Sequence, residues 1–326
     1  MNGSERTHSP ASLGMGTAGI GNLREAVSDD AARDTVGAAI ESGLEVFDTA
    51  PHYGLGLAEE RLGQAIKDIG VTGLRVMTKV GRVLEPNPSP TGSDLPAGGF
   101  AVSDVLRRRF DFSAAGIKRS CEESLARLQI DALDTIFLHD PEGHMPQARD
   151  EGVWAALDLK RAGVARRVGV ATNSAVTASA FAEDGLVDVV MLAGRWTLLD
   201  RTGEAALDAC AAKGIAVYCA APYNSGILAE PVVRRAASFD YAEASTAMLD
   251  LADQMANLCR DYGAVLPQAA LQFPLRHPAV ERVIVGARAP AEIRETARRF
   301  AAPVDHLGLW RELDELAVSS PLFKSA

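Results

Sequence analysis

The feature that most constrains the fold is a regular alternation of short apolar runs with longer amphipathic segments along nearly the whole chain. Each apolar run has the length and composition of a buried strand, and the intervening segments, such as 29–42, 58–67, 113–128 and 152–162, have helical spacing. Several of these segments end near a glycine, as helices often do (Gly43, Gly163, Gly214). The eight predicted strands are 13–18, 45–50, 75–80, 134–139, 167–172, 187–193, 215–221 and 281–287.

Strands that alternate with helices predict a parallel sheet, either an open doubly wound sheet or a closed barrel. A chain of 326 residues could hold one large domain or two ordinary ones. No change of composition separates two domains, and eight strand–helix units fit a single barrel. We therefore expect one α/β domain over residues 1–326, a (β/α)8 TIM barrel, with 1–12 as a flexible N-terminal segment.

Two connections, 82–112 and 222–247, are longer than the others, and the first is rich in glycine and proline. Connections of more than about 12–15 residues in a compact domain usually have a functional role. Both follow the carboxyl end of a predicted strand, the face on which barrel active sites lie. We expect 82–112, which its composition predicts to be mobile, and the region after Phe300 to determine the substrate.

Composition and charge restrict the class of partner. The net charge of −10 argues against a nucleic acid or an anionic membrane surface. It still allows an anionic cofactor held by backbone N–H groups. No apolar leader and no run of about 18 apolar residues is present, so we interpret the chain as cytoplasmic. No pattern in the sequence indicates an oligomeric state.

The four cysteines form no CxxC pair and have no close neighbours that would bind metal. Neither a metal site nor a disulfide framework is therefore predicted. We expect buried free thiols in a reducing compartment. The residues concerned are Cys121, Cys210, Cys219 and Cys259.

A glycine-rich stretch near the N-terminus matches the GxGxxG fingerprint of dinucleotide-binding Rossmann folds, with Gly14, Gly16 and Gly19. That fold requires a strand before the motif and a helix that opens at its last glycine. Here residues 7–12 are polar, and helical spacing begins only near Ser28. We therefore interpret the stretch as the first barrel strand, with small residues where the backbone approaches a ligand.

Ionisable residues stand at the ends of three otherwise apolar strands. Asp48 ends one strand, and Tyr53 follows it after a turn that contains proline; Lys79 and His139 end two further strands. Any one of them could be a solvated strand end. Because a parallel barrel brings the carboxyl ends of its strands together, the four side chains are predicted to form one catalytic group.

The stretches FDTAPHYGLGLAEERLG, TKVG and LHDP resemble the motifs of the aldo-keto reductase superfamily, and the similarity runs from about Leu13 to Phe300. The stretches GTAGIGN, FDFSAAGIKRS and RWTLLD resemble a narrower branch, which contains D-threo-aldose (L-fucose, L-galactose or D-arabinose) 1-dehydrogenases and, among its relatives, pyridoxal 4-dehydrogenase. The resemblance implies an NAD(P)-dependent oxidoreductase acting on a small sugar or aldehyde, with hydride transfer from C1 of an aldose to give the lactone.

The same resemblance implies a role for each catalytic residue. Tyr53 exchanges the hydroxyl proton as acid or base. A tyrosine pKa of about 10 is too high for neutral conditions, and the Lys79 ammonium is expected to lower it. Asp48 would hold Lys79 in place, and His139 would orient the substrate oxygen.

Cofactor contacts are likewise implied by the resemblance. Asn173 would bind the nicotinamide carboxamide and Trp196 would stack on the ring. Many members have a glutamine where this chain has Ala193, so Arg195 is an alternative partner for the carboxamide. Backbone N–H groups after the seventh strand suit a pyrophosphate. The remaining predicted contacts at this end of the cofactor are Thr17, Asp48, Thr172, Ser225, Gly226 and Leu228.

The stretch 285–296 bears on the choice between NAD and NADP. NADPH-dependent relatives commonly carry lysine at the position of Gly286 and arginine at that of Glu292. A carboxylate repels a 2′-phosphate and can accept a hydrogen bond from a ribose hydroxyl, which favours NAD. Arg288 could still reach a phosphate; Glu295 matches an adenine contact of the family, whereas Thr296 replaces its usual asparagine.

Three other functions remain open from the sequence. They are oxidation of pyridoxal, NADPH-dependent reduction of aldehydes, and a redox-sensing subunit that binds nucleotide and docks on a partner.

Overall fold

The computed structural model describes residues 10–240 and 242–320, and within them the chain forms a closed parallel barrel surrounded by helices. The barrel contains all eight predicted strands, so the predicted TIM-barrel fold is confirmed. Around the barrel the order is β1-β12-β9-β8-β7-β6-β3-β2. The strands are β1 Leu13–Gly16, β2 Val46–Asp48, β3 Arg75–Val80, β4 Arg82–Pro86, β5 Leu106–Phe110, β6 Leu133–His139, β7 Ala165–Thr172, β8 Val189–Ala193, β9 Ala216–Ala220, β10 Ser238–Phe239, β11 Ala242–Glu243 and β12 Val280–Gly286.

The segment that the sequence predicts to be flexible lies mostly outside the described residues, because 1–9 are not described. Its last three residues, Pro10–Ser12, form a 3-10 helix that leads directly into β1. The glycines of the GxGxxG stretch pack closely here. A Cβ atom on Gly14 would lie 2.6 Å from the Ile284 side chain of β12. The stretch is therefore a barrel strand, as predicted, and the glycine makes room for the neighbouring strand.

Helices form the outer layer, and several begin at serine side chains that accept a backbone N–H, as Ser28, Ser113 and Ser174 do. Gly43, Gly163 and Gly214 follow helix ends and adopt the left-handed conformation expected there. The helices are α1 Asp29–Glu41, α2 Leu57–Ile69, α3 Leu95–Gly98, α4 Ala114–Leu128, α5 Met145–Gln147, α6 Val153–Arg161, α7 Ala175–Asp184, α8 Glu204–Lys213, α9 Thr246–Asp261, α10 Leu266–Gln272, α11 Pro290–Ala301 and α12 Leu307–Ser319.

Alternation along the strands divides each strand between the barrel interior and the helical layer. A small apolar cluster fills the interior, while a larger one joins the outer strand faces to the helices. The interior cluster consists of Val46, Met77, Phe137, Ala171, Val189, Met191, Tyr218 and Ile284. In each strand, the residue two positions after a member of this cluster also points into the interior, one layer closer to the carboxyl face of the barrel.

The connection 82–112, predicted as a long mobile loop, contains an antiparallel hairpin formed by β4 and β5. The sequence pattern missed these strands because the second is rich in arginine and half-exposed. Cross-strand ion pairs hold the hairpin together, since Glu85 binds both Arg107 and Arg109. The second long connection, after β9, contains a 3-10 turn and the short pair β10–β11.

All four cysteines are buried free thiols, as predicted. Burial raises the pKa of Cys121 and Cys210 to about 11. In the described part of the chain, every helix is too short or too polar to cross a bilayer.

Candidate active site

Three predicted catalytic residues occupy the same layer at the carboxyl face of the barrel. Asp48, Lys79 and His139 each stand two positions after an interior apolar residue of β2, β3 or β6. Because β2, β3 and β6 are neighbours in the barrel, their ends converge. All three side chains are buried, with 3%, 2% and 6% exposure. The structure therefore places them together, as the strand-end pattern predicts.

The ammonium of Lys79 is the centre of this arrangement. Its Nζ lies 2.9 and 2.7 Å from the two carboxylate oxygens of Asp48 and 2.9 Å from the backbone oxygen of Thr49. It also lies 2.9 Å from the hydroxyl of Tyr53. A buried ammonium that points at the phenolic oxygen stabilises negative charge there, so proton loss from Tyr53 is favoured.

Burial and charge oppose each other in this group. Burial alone would lower the pKa of Lys79, but the Asp48 carboxylate and Tyr53 outweigh it, so the pKa is raised. Burial raises the pKa of Asp48, and Lys79 opposes that shift. We conclude that Lys79 is a fixed cation at neutral pH, with Asp48 as its counter-charge.

Tyr53 lies on the turn that follows β2, where its N–H donates to the oxygen of Ala50. Its ring meets the ring of His139 edge-to-face, with centroids 6.2 Å apart, and tilts against Phe100 at 6.1 Å. The backbone oxygen of His52 accepts two hydrogen bonds from Arg108, at 3.2 and 2.7 Å. The hairpin therefore holds the turn that presents Tyr53.

Two histidines face the same space, with ring centroids 5.7 Å apart. Burial lowers the pKa of His52 to about 2, and the cations Arg82, Arg108 and Lys79 add to this effect. Burial and the same cations lower the pKa of His139 well below its usual value. Both imidazoles are therefore neutral at physiological pH, and His139 can orient an oxygen by hydrogen bonding without adding charge.

The sequence analysis missed two ion pairs beside this group. Arg82 contacts Asp140, the residue after His139, and Arg108 binds Asp94 at 2.6 and 2.8 Å. A signal for the first pair was present, because Asp140 directly follows a predicted catalytic residue. Its partner lies 58 positions away, and no local pattern indicates the pairing.

The opposite half of the barrel mouth carries small residues at the same layer, namely Gly16, Ala193, Ala220 and Gly286. A Cβ atom on Gly286 would meet nothing within 4 Å. A ring of small residues opposite a tyrosine and a histidine leaves room for a flat group such as nicotinamide. The hydroxyl of Thr17 is buried in this region and finds no hydrogen-bond partner among the described residues, a further feature that a bound polar group would satisfy.

The turn after β9 has an unusual backbone conformation. Asn224, Ser225 and Gly226 all have positive φ, at 43°, 60° and 105°. The N–H groups of Asn224 and Gly226 donate to the backbone oxygens of Ala221 and Tyr223, at 3.0 and 2.9 Å, so the turn satisfies these two donors itself. The pyrophosphate contact of Ser225 and Gly226 stays a prediction. Leu228 is fully buried, and its N–H donates to the backbone oxygen of Tyr223 at 3.3 Å, so its side chain belongs to the core.

At the end of β7, one predicted cofactor contact is buried and the next is exposed. Thr172 is buried, and its hydroxyl contacts Glu142 and accepts the N–H of Ser174 at 2.9 Å. Asn173 is exposed at the mouth of the barrel, where a carboxamide could reach its side chain. Arg195 is committed to other groups, since it binds the backbone oxygen of Asn173 and two aspartates, Asp200 and Asp240.

Trp196, predicted to stack on the nicotinamide ring, lies among buried side chains of the outer core. Its ring packs against Phe273 and His277, with centroids 5.0 and 5.7 Å away, and Nε1 donates to Pro274 at 3.3 Å. Only 7% of the residue is exposed. The side chain of Trp196 points into the helical layer and belongs to the core. The direction of a side chain cannot be read from its position in the sequence.

Residues near the start of α11 are bound to one another. Glu292 accepts the backbone N–H of Arg288 at 2.8 Å, while the Arg288 guanidinium contacts Glu25. Hydrogen bonds from Arg298, helped by Arg299, lower the pKa of Glu295 to about 2. The Arg288 cation is thus already neutralised by a carboxylate.

The sequence and the fold are similar to those of known proteins. Residues 12–315 match the model of the Aldo/keto reductase family. The chain is 38% identical over 307 residues to a D-threo-aldose 1-dehydrogenase from a Pseudomonas species, covering 93% of each. It is 34% identical over 307 residues to pyridoxal 4-dehydrogenase from Microbacterium luteolum, covering 88% of this chain and 89% of the relative. A solved glycerol dehydrogenase from Gluconobacter oxydans shares the fold, with a TM-score of 0.76 at 21% identity, covering 95% of this chain and 92% of that one.

Proposed function

The chain belongs to the aldo/keto reductase family of oxidoreductases, and we propose that it oxidises an aldose at C1 to the lactone with NAD. The observation that carries the proposal is the Lys79 ammonium, which bridges the Asp48 carboxylate and the Tyr53 hydroxyl at 2.7 and 2.9 Å. This arrangement equips Tyr53 to take the proton of a sugar hydroxyl at C1.

Aldo-keto reductases use nicotinamide cofactors, and NAD+ supplies the acceptor for the hydride that leaves C1. The protein supplies the proton transfer. Tyr53 removes the hydroxyl proton while Lys79 stabilises the charge on its oxygen, and the reverse transfer serves reduction. His139 lies beside Tyr53 and, as a neutral group, orients the reacting oxygen between them.

The charge of the pocket supports a neutral, polar substrate. Lys79, Arg82 and Arg108 each have a carboxylate partner, and the two facing histidines are neutral. An uncharged sugar needs no further counter-charge there, whereas a phosphate or carboxylate would. The relative named D-threo-aldose 1-dehydrogenase supports the same substrate class.

Three features support NAD over NADP. Gly286 offers no cation to a 2′-phosphate. The nearby Arg288 is already paired with Glu25, so it would have to give up this partner to bind a phosphate. Glu292 adds negative charge at the same place and can accept a ribose hydroxyl.

The test is a set of initial rates of NADH and NADPH formation with L-fucose, D-arabinose and pyridoxal, for the wild type and Tyr53→Phe. We expect sugar oxidation with NAD+ that falls by about 10²–10⁴-fold in the variant, because the acid–base group is lost. Tyr262→Phe is the matched control, since this tyrosine binds Glu312 on the outer helices. Unchanged rates in Tyr53→Phe would refute the mechanism.

Pyridoxal is the second candidate substrate, since the relative named pyridoxal 4-dehydrogenase is 34% identical. Its cyclic hemiacetal, formed between the aldehyde and the neighbouring hydroxymethyl group, carries a hydroxyl that needs the same proton transfer by Tyr53. Activity with pyridoxal and none with either sugar would support the same catalytic residues but make pyridoxal, and not an aldose, the proposed substrate.

A further inference from the structure

An ion pair that the catalytic cycle does not use lies directly beside the reacting groups. Arg82 opens β4, three residues after Lys79, and Asp140 follows His139. The guanidinium Nη2 contacts Asp140 Oδ2, and the same carboxylate oxygen lies 3.6 Å from His139 Nε2. The pair is therefore next to the imidazole that orients the reacting oxygen.

Both partners hold constrained positions. Asp140 has φ of +44°, a left-handed conformation that is costly for a residue other than glycine, and its N–H donates to Ala171 at 2.9 Å. The Arg82 guanidinium lies over the ring of Phe110, with Cζ 4.8 Å from the centroid. The side chains are only 13% and 33% exposed, unlike those of most surface pairs of this chain.

Part of the hydrogen-bonding capacity of the pair is unused. Among the described residues, Nη1 of Arg82 donates no hydrogen bond and Oδ1 of Asp140 accepts none. Neither atom belongs to the buried groups without partners, so both stay open to a ligand. One open donor and one open acceptor on two side chains in contact suit a hydroxyl group, which can accept from one and donate to the other.

We propose that Arg82 and Asp140 bind the hydroxyl on the carbon next to the reacting carbon, and thereby select hydroxylated substrates over plain aldehydes. This inference rests on the proposed function, since it names the part of an aldose that the site reads. A charged hydrogen-bonding pair left without its hydroxyl partner is costly, which gives discrimination against substrates that lack the group.

The test compares L-fucose with its 2-deoxy analogue for the wild type, Arg82→Met and Asp140→Asn. Arg82→Met keeps an unbranched apolar stem but removes the guanidinium, and with it every donor and the contact of Cζ with the Phe110 ring. We expect the wild type to prefer L-fucose in kcat/KM by about 10- to 100-fold, from a charge-assisted hydrogen bond. In either variant the preference should fall below about 3-fold, through a rise in KM for L-fucose larger than the fall in kcat.

Arg107→Met is the matched control, because Arg107 stands in β5 and pairs with Glu85 at the exposed side of the hairpin. It should retain the wild-type preference. Arg82→Lys, which keeps a cationic donor, should recover part of the lost preference. If kcat/KM in Arg82→Met and Asp140→Asn falls by the same factor for L-fucose and for the 2-deoxy analogue, the proposal is overturned. The pair would then only support the fold.

The failure of the proposed function can be told apart from that of the pair. If the wild type oxidises no aldose, the proposed function fails, and the pair is tested by the reduction of glyceraldehyde against propanal. A preference for glyceraldehyde that disappears in Arg82→Met would support the pair. A preference that persists in this variant would overturn it.

Discussion

The buried pair of Asp48 and Lys79 allows a prediction about stability as well as catalysis. Asp48→Asn removes the counter-charge from an ammonium that is only 2% exposed. Breaking a buried pair by removing one partner typically costs about 3–5 kcal/mol. The folded variant can instead release a proton from Lys79, which for an ordinary lysine pKa of about 10.4 costs about 4.6 kcal/mol at pH 7.

These two costs, of a buried unpaired ammonium and of its deprotonation, predict how the stability lost in Asp48→Asn depends on pH. In the wild type the pKa of Lys79 is raised, so its contribution is fully present below the unfolded value and is lost only above it. In Asp48→Asn the folded chain releases a proton that the unfolded chain keeps, so the variant gains stability as pH rises. The gap between the two proteins should narrow by about 1.4 kcal/mol per pH unit once the proton has left the folded variant.

Urea unfolding followed by tryptophan fluorescence at pH 7 and pH 9 measures the gap. Asp158→Asn is the control, because Asp158 pairs with Arg161 at the surface with 72% of its side chain exposed. It should change the free energy of unfolding by less than about 0.5 kcal/mol at either pH. A gap for Asp48→Asn below 1 kcal/mol, or one independent of pH, would contradict the assignment of Lys79 as a dry, fixed cation.

Three further predictions concern the histidines, the cofactor and the first strand. His52 and His139 stay neutral in the folded chain, so below about pH 6.5 only the unfolded chain protonates them and the folded chain loses stability. Between pH 7 and pH 5, His52→Asn should therefore lose about 2 kcal/mol less free energy of unfolding than the wild type. Equal losses in the two proteins would refute the lowered pKa of His52. A Cβ at Gly286 meets no neighbouring atom, so Gly286→Lys should add a cation that binds the 2′-phosphate and raise the ratio of kcat/KM for NADP+ to that for NAD+ at least about 10-fold. An unchanged ratio would mean that the ribose 2′-hydroxyl of the cofactor does not lie near Gly286. Gly19→Ala puts a Cβ 2.5 Å from a backbone carbonyl oxygen and should cost about 1–3 kcal/mol in urea unfolding, while Gly143→Ala meets nothing and should be neutral; similar values would show that the backbone yields.

The barrel could be predicted because each strand carries a local signal. Short apolar runs and glycine-terminated helices are properties of neighbouring residues, and the closed barrel confirms them. The convergence of Asp48, Lys79 and His139 follows in turn, because parallel strands end at one face. The structure brings these side chains together as expected.

Features that depend on side-chain direction or distant pairing could not be predicted. The family resemblance assigned Trp196 to the nicotinamide ring, yet its ring packs against Phe273. The hairpin strand Leu106–Phe110 lacks apolar alternation, since ion pairs stabilise it. Arg82 and Asp140 meet across 58 residues of chain, and only the folded structure shows their contact.

The β4–β5 hairpin also bears on how such a chain can diversify. The ion pairs of Glu85 join its two strands, while Arg82 and Arg108 reach from it to Asp140 and to the backbone of His52, next to the catalytic residues. Asp48 and Lys79, by contrast, belong to the barrel strands. Substitutions in this one contiguous stretch that keep Arg108, and with it the turn that presents Tyr53, can therefore alter which compound is accepted while the proton-transfer group stays in place.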